Sequence, residues 1–411
     1  MNGATPQVES KPLSPTVRAL GLVSFLTDLS SEMVYPINPI FLTAVLGAPA
    51  WFVGVVEGIA ESAASLLKIY SGWLSDRSGR RKPLTIVGYS LGAIAKPLVG
   101  LSTVWLEVLA ARFLDRVGKG LRSAPRDALI TESCAPGQKG RAFGLHRSMD
   151  TAGAVLGPLL GYCFLQRLNP DYLGQHPNIL RNLYWIAFVP GLLSVIALWI
   201  FVKEKPRRSG EESANRPSFP TWKSLSSPYR RYLLILALFS IGNSSDAFLL
   251  LKAKTMGVTV QNLLLLYAAF NVLEVCLGYS AGKLSDTVGR RPLIVVGYLA
   301  FALVYLGFGL LNGATAAWVL FLAYGVYYTL TQGVQRAYAA DLAQPSRRAT
   351  EIGAFHMLVG VFALPASLLA GQLYSHVSTS APFLLGAATA TISAVLLLMS
   401  PRGHSHSAAP R

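Results

Sequence analysis

Charge is scarce in this chain. Of its 411 residues, 14% are Asp, Glu, Lys or Arg, against about 25% in a soluble domain, which argues against an ordinary water-soluble globule. Cysteine is scarcer still: Cys134, Cys163 and Cys276 lie far apart, with neither metal-ligand spacing nor a disulfide framework. No strand-like alternation of membrane-barrel type is visible. No Gly-x4-Gly-Lys-Ser/Thr loop appears, so ATP drive is unsupported. No metal cluster or nucleophile–base set stands out. Glu57 and Glu61, spaced i,i+4, lack a His partner, and His404 and His406 read as tail composition. Enzymatic activity and a bound cofactor are therefore not expected. Nor is a cleavable leader, because the chain starts polar and the apolar stretch from Val17 to Val45 is too long for a signal core.

Apolar sequence is what the chain has in abundance, 52% of it, in blocks of about 20 residues, the length that crosses a bilayer core as a helix. Backbone groups inside lipid must bond internally, so such blocks read as helices. Twelve are predicted, at 17–45, 51–74, 83–103, 105–132, 141–166, 181–203, 230–253, 260–283, 292–312, 315–341, 350–375 and 381–400. Several exceed 20 residues and carry polar stripes, so a hydropathy window underrates them. The predicted organisation is a tail over 1–16, a six-helix bundle over 17–203, a linker over 204–229, a second six-helix bundle over 230–400 and a tail over 401–411. The linker is rich in Lys, Arg, Pro, Ser and Glu, the composition of a solvated connection.

The formal charge of +16 could suggest a nucleic-acid partner, but its distribution points to a bilayer. Cations collect in the even-numbered connections, as in Arg77, Arg80, Arg81 and Lys82, then Lys139 and Arg141, Arg290 and Arg291, Arg347 and Arg348. Odd-numbered connections such as Gly47-Ala-Pro-Ala50 are poor in them. That is the positive-inside pattern, reinforced by anionic head groups. It places both termini on the cytoplasmic side.

One basic, glycine-containing loop occurs twice. Gly72-Trp-Leu-Ser-Asp76-Arg77-Ser-Gly79-Arg80-Arg81-Lys82 returns as Gly282-Lys-Leu-Ser-Asp286-Thr-Val-Gly289-Arg290-Arg291, an offset of 210 residues. The apolar runs that follow match too, Thr85–Tyr89 against Ile294–Tyr298, one residue out of step. A repeat of this length exceeds a solenoid unit, so the chain reads as two copies of one half.

Ionisable residues inside membrane blocks cost about 2.5–3.5 kcal/mol each on insertion scales and need a reason. In the first predicted helix, Ser24, Asp28, Ser31, Glu32 and Tyr35 share a stripe roughly 100° wide. The second carries Glu57, Glu61 and Lys68 on one face. The fourth carries Arg112, Asp115, Arg116, Lys119, Arg122, Arg126 and Asp127, a face that must meet water or partner carboxylates. Asp28 is expected beside Arg116 or Arg112, Glu57 and Glu61 toward the outer half, and Lys68 paired with Glu61. Arg122, Arg126 and Asp127 are expected in structural ion pairs. The second half is plainer, with Asn243 and Asp246 in helix seven and Glu274 in helix eight.

The Gly72–Leu84 loop resembles the signature of the major facilitator superfamily, Gly-x-Leu-Ala-Asp-x-x-Gly-Arg-(Lys/Arg)-(Lys/Arg), with Ser75 in place of Ala. The resemblance covers essentially the whole chain. It implies an all-α membrane protein whose twelve transmembrane helices form two pseudo-symmetric six-helix bundles, working as a monomer. It also implies a gating role for Gly72, Asp76, Gly79, Arg80 and Arg81, and for Asp286, Arg290 and Arg291. Arg116-Val-Gly-Lys119-Gly120-Leu-Arg122 is similar to the family's helix-four pattern Arg-x-x-Gln-Gly-x-Gly, which implies proton transfer at Arg116. Lys119 and Arg122 replace Gln and Gly there, making the site more cationic. Gly144, Gly153, Gly157, Pro158 and Gly161 in helix five resemble the antiporter pattern of drug:proton exporters, with Tyr162 in the final glycine's place. Thr27-Asp28-Leu-Ser-Ser-Glu32 resembles the acidic helix-one motif of the same exporters.

The expected function is proton-coupled transport of a small molecule across the cytoplasmic membrane by alternating access. Export is the preferred direction, with Asp28 or Glu32 taking the proton and Arg116 tuning it. Tyr35, Glu57, Glu61, Arg112, Asp115, Lys119, Asn243 and Asp246 are the expected cavity residues. The alternative is a symporter importing an anionic solute such as an organic acid, phosphate ester or siderophore. The helix-four cations favour it and the helix-five spacing opposes it. A non-transporting membrane receptor is the alternative of another class.

Overall fold

The computed structural model describes residues 12–78, 80–134, 138–168, 175–204, 222, 225–344 and 348–400, apart from the side chains at 69, 76, 78, 177, 279, 282, 286 and 348–350. Regular structure among these residues is helical throughout. Helix α1 (Pro15–Val34) opens on Ser14, whose Oγ accepts from the Val17 N–H at 3.2 Å. Pro15 sits in the first turn, where no donor is needed. Beyond Val34, Pro36 and Pro39 withhold two backbone donors. The chain continues as a 3₁₀ turn over Tyr35–Ile37, one α turn over Asn38–Ile40 and a π turn over Phe41–Val45. The predicted helix 17–45 is thus regular only in its first part.

The remaining helices of the first half are α2 (Ala50–Ser78), α3 (Lys82–Leu101), α4 (Trp105–Glu132), α5 (Lys139–Gln166) and α6 (Leu180–Phe201). The second half holds α7a (Ser227–Gly242), α7b (Ala247–Thr255), α8 (Val260–Val288), α9 (Arg290–Leu310), α10 (Ala314–Leu342), α11 (Arg348–His376) and α12 (Ala381–Met399). The seventh helix, predicted as continuous over 230–253, is broken. Asn243 leaves the helical region at φ −90°, ψ 76°, and α7b restarts after Asp246. The run Gly242-Asn-Ser-Ser-Asp246 is turn composition, which explains the break.

The repeat seen in the sequence is a repeat of structure. Helices α2 and α8 start and stop 210 residues apart. Gly289, which begins the turn into α9, has φ +95°, a conformation glycine adopts without the clash a Cβ would bring. Its counterpart Gly79 lies outside the described residues. Counting α7a and α7b as one span, nine helices among the described residues are long and apolar enough to cross a membrane. The others of membrane length are α1, α4 and α5, the ones carrying polar stripes.

Helix α2 packs against α11, and its symmetry mate α8 packs against α5; these are the most extensive contacts between the halves. One face of α11 shows how far the first contact extends. A Cβ at Gly371 would lie 2.9 Å from Trp51 Cα, Leu364 Cα would meet a Cβ at Gly58 at 3.0 Å, and Gly360 abuts Ser65. A further two turns along, Gly353 meets nothing within 4 Å. On the other side, Gly161 packs against Leu264, Asn271 donates to the Ala154 carbonyl at 2.8 Å, and Gly144 meets nothing within 4 Å. The halves therefore touch at one end and part at the other. At the closed end Ile37, Phe41, Phe248, Leu249 and Leu250 are fully buried. At the open end lie the end of α2, the start of α3, the 286–291 connection and the end of α12, tied to Arg291 through the Leu397 and Leu398 carbonyls.

Candidate functional site

Helix α4 is held against α3 and α2 by glycines that let the backbones approach. A Cβ at Gly118 would stand 3.1 Å from Gly92 N, and one at Gly120 would stand 2.9 Å from the Ala64 carbonyl oxygen. Ser71 Oγ donates to the Gly120 carbonyl at 2.9 Å. This seating aims the charged face of α4 inward. Arg112 Nη2 donates to Glu57 Oε1 and Oε2 at 2.7 and 3.0 Å. Arg112 Nη1 lies 3.5 Å from Asp115 Oδ2, and Lys96 Nζ of α3 donates to Asp115 Oδ1 at 2.8 Å and to Ser31 Oγ at 3.1 Å. All four charged groups of this set are buried.

Lys96, Arg112 and Asp115 of this set line a polar cavity. Asp28, Glu32 and Tyr35 of α1 line one wall; Arg116, Lys119 and Arg122 of α4 line another. Glu32 reaches the Tyr267 hydroxyl of α8, and Tyr35 lies against the same ring at 5.2 Å. Helix α5 supports α1 through its glycines. A Cβ at Gly153 would sit 2.9 Å from Leu29 N, one at Gly157 2.7 Å from the Leu29 carbonyl oxygen, and one at Gly161 3.2 Å from the Met33 carbonyl oxygen. One turn before Gly153, Asp150 faces Asp28 and accepts from Ser24 Oγ at 2.6 Å. Arg147 bridges Asp150, at 3.4 Å, and Glu274 of α8, at 2.5 Å.

The structure corrects several expectations. Glu57 lies in the half of α2 toward the closed end, but it is buried in the Arg112 pair and does not line a gate as a free carboxylate. Asp28 meets Asp150, while Arg112 is committed to Glu57 and Asp115. Among the described residues Lys68 makes no ion pair with Glu61, and both are exposed. Arg122 has no carboxylate partner among them either; its guanidinium stacks on the Tyr89 ring at 4.5 Å. Arg126 and Asp127 do pair, with each other, at 2.8 Å. Asp246 stands at the α7 break and accepts from the Tyr324 hydroxyl at 2.7 Å. Neither it nor Asn243, Glu57 or Glu61 lines the cavity, whose walls come from the first half. Lys96 and Asp150 were not singled out in the sequence. A lone ionisable residue within an apolar block was the available signal in each case.

Of the loop residues, Gly79 and the side chains of Asp76 and Asp286 lie outside the described residues. Gly72 packs on Ala124 of α4. Arg81 pairs with Glu132 at the end of α4 at 3.0 Å, and Arg290 with Asp341 at the end of α10 at 2.5 Å. These pairs are symmetry mates. Glu204 accepts from the Arg81 and Lys82 backbone N–H groups, at 2.5 and 3.2 Å, closing the start of α3.

Two pseudo-symmetric helical halves around a polar cleft that opens at one end define a multi-pass membrane transporter. The profile of the Major Facilitator Superfamily matches residues 20–362, and the chain belongs to that superfamily. It is 37% identical over 394 residues to an uncharacterised MFS-type transporter of Methanocaldococcus jannaschii, covering 94% of this chain and 95% of the relative. It is 24% identical over 364 residues to the multidrug resistance protein MdtH of Aeromonas hydrophila, covering 87% of each. In fold it matches the crystal structure of the D323A mutant of the nucleoside transporter NupG, with a TM-score of 0.76 at 12% identity over 93% of this chain and 99% of that one. The protein is accordingly a transporter and not an enzyme.

Proposed function

We propose that this protein is a proton-coupled secondary transporter of a small solute, alternating between the open state described here and one open at the opposite end. It works as a monomer in the cytoplasmic membrane, with both termini and the open mouth on the cytoplasmic side. The observation that carries this reading is the placement of Asp28 and Glu32. Both acids sit inside the membrane span, in one cavity with Arg116 and Lys119. A carboxylate kept in such a place at an insertion cost suits a group that gains and loses a proton as access alternates. Asp150, facing Asp28, supplies a second acid for the same proton.

Two directions of coupling follow from different observations. Export is supported by the multidrug resistance name of the Aeromonas relative and by the helix-five glycine spacing. Uptake of an anion together with protons is supported by the cations that line the α4 wall. Proteoliposomes loaded with a pH-sensitive dye, challenged with drug-like cations, neutral metabolites and organic anions, test the reading. Wild type should move protons with at least one class, and Asp28→Asn with Glu32→Gln should abolish that movement. Solute flux without proton flux, or equal proton flux in the variant, would overturn it.

A further inference from the structure

The residues lining the cavity include five cations, Lys96, Arg112, Arg116, Lys119 and Arg122, and three acids, Asp28, Glu32 and Asp115. Asp115 is taken by Lys96 and Arg112, and Arg112 is further held by Glu57. Arg116, Lys119 and Arg122 remain, at i, i+3 and i+6 along one face of α4, and among the described residues none makes an ion pair. Glu61 stands near Arg116 without pairing, and Glu32 and Asp28 face Lys119. Arg122 is the informative member. It is 7% exposed, it lines the cavity, and its Nη1 is buried without a hydrogen-bond partner. A cation that deep ordinarily brings its own counter-charge.

The surroundings are shaped for it. A Cβ at Gly92 would lie 2.9 Å from Arg122 Nη1, and one at Gly88 would lie 2.7 Å from Arg122 Cβ. Glycine at 92 leaves room for the guanidinium, glycine at 88 lets the α3 and α4 backbones approach, and Tyr89 supports the guanidinium from one face. We propose that the transported solute carries an anionic group, a carboxylate, sulfonate or phosphate, held by Arg122 with Lys119 and Arg116. This rests on the transporter reading above and gives the substrate class of the same cavity. A guanidinium presents paired N–H donors that match an oxyanion, and a poorly solvated wall strengthens the attraction.

The site also fixes the sign of coupling. Glu32 faces Arg116 and Lys119 of α4, Tyr267 of α8 and Asp150 of α5; Asp28 faces Asp150, Glu32 and Lys119. A proton on either acid removes a negative charge that competes with the solute for these cations. Protons and anion therefore assist one another's binding, reciprocally. A solute held in this way travels with protons, which selects uptake over export.

The test is ligand binding to the purified full-length protein, read as tryptophan fluorescence and as thermal unfolding at fixed ionic strength. The probes are benzoate, citrate, inorganic phosphate and the cation tetraphenylphosphonium. At least one anion should bind wild type and raise its unfolding midpoint, and affinity should increase as pH falls. Arg122→Gln and Lys119→Gln should each weaken it tenfold or more, while Arg141→Gln, at an exposed position, should match wild type. Should Arg122→Gln fail to fold, Lys119→Gln, a side chain exposed to the cleft, decides. Response to tetraphenylphosphonium alone, to no anion, or equal response in both variants overturns the proposal. Anion binding that survives in Asp28→Asn/Glu32→Gln with the same pH dependence as wild type would instead overturn proton coupling and leave the anion site standing.

Discussion

Arg112 grips both carboxylate oxygens of Glu57, at 2.7 and 3.0 Å, across the contact between α4 and α2. With Asp115 and Lys96 the pair forms a four-charge set that sums to zero and ties three helices together. Glu57 is 6% exposed and Arg112 7%, so neither charge has water to fall back on. Removing one partner from such a pair costs about 3–5 kcal/mol, because the other is left buried and unpaired. Arg112→Gln should therefore lower stability by that amount in detergent denaturation. Glu57→Gln/Arg112→Gln should recover most of the loss. A double variant as unstable as the single would show that packing, not charge, accounts for the effect.

The helix-five glycines yield a second prediction. Gly157→Ala places a methyl 2.7 Å from the Leu29 carbonyl oxygen and 2.9 Å from Met33 N. Backbone on both sides cannot swing away as a side chain can, so α1 must shift. The expected loss is about 1–3 kcal/mol, the usual cost of overpacking. Gly144→Ala, at a position with nothing within 4 Å, should be neutral or slightly stabilising, since alanine is the better helix former. Thermal unfolding of the two variants side by side checks this. Equal midpoints would mean that the glycines matter for something other than the α1–α5 approach.

The scaffold was readable because its signals are periodic or repeated. The Gly72 and Gly282 loops mark equivalent points in two halves, and the structure carries the same spacing through α2 and α8. Charged stripes on α1 and α4 identified the lining helices, although those helices fail an apolarity test. What stayed hidden were partnerships across space. Lys96 sits in an apolar stretch ahead of Pro97, and nothing in its spacing names Asp115 as its partner. Asp150 becomes significant only when Gly153 lets α5 approach α1. Glu57 and Glu61 look equivalent in the sequence, yet one is buried against Arg112 and the other is exposed, near Arg116. The α7 break was signalled by Gly242-Asn-Ser-Ser-Asp246, but the apolar run on either side masked it.

The cleft makes a labelling prediction. With Cys134, Cys163 and Cys276 replaced by Ser, Gly353→Cys and Gly144→Cys should react quickly with a water-soluble, membrane-impermeant maleimide in inside-out vesicles. Both positions face open space on helices that join the halves. Ala253→Cys, at the closed end and fully buried, should be protected. Fast reaction from the outside instead would reverse the proposed orientation of the open mouth.

Arg147 makes the last prediction, because it touches both the acid pair and the opposite half. It lies 3.4 Å from Asp150 and 2.5 Å from Glu274 of α8, and its side chain is 65% exposed. An ion pair in so wet a setting contributes about 0.2–1 kcal/mol, too little to matter for folding. Between two conformations of nearly equal energy, the same amount shifts the populations as much as about fivefold. Glu274→Gln removes the contact between halves and leaves the Arg147–Asp150 contact in place. In a Gly353→Cys background it should slow maleimide labelling by up to about fivefold, as the open state loses a contact that favours it. The unfolding midpoint should barely move. A large drop in stability with unchanged labelling would make Arg147–Glu274 a structural pair and remove it from the conformational balance.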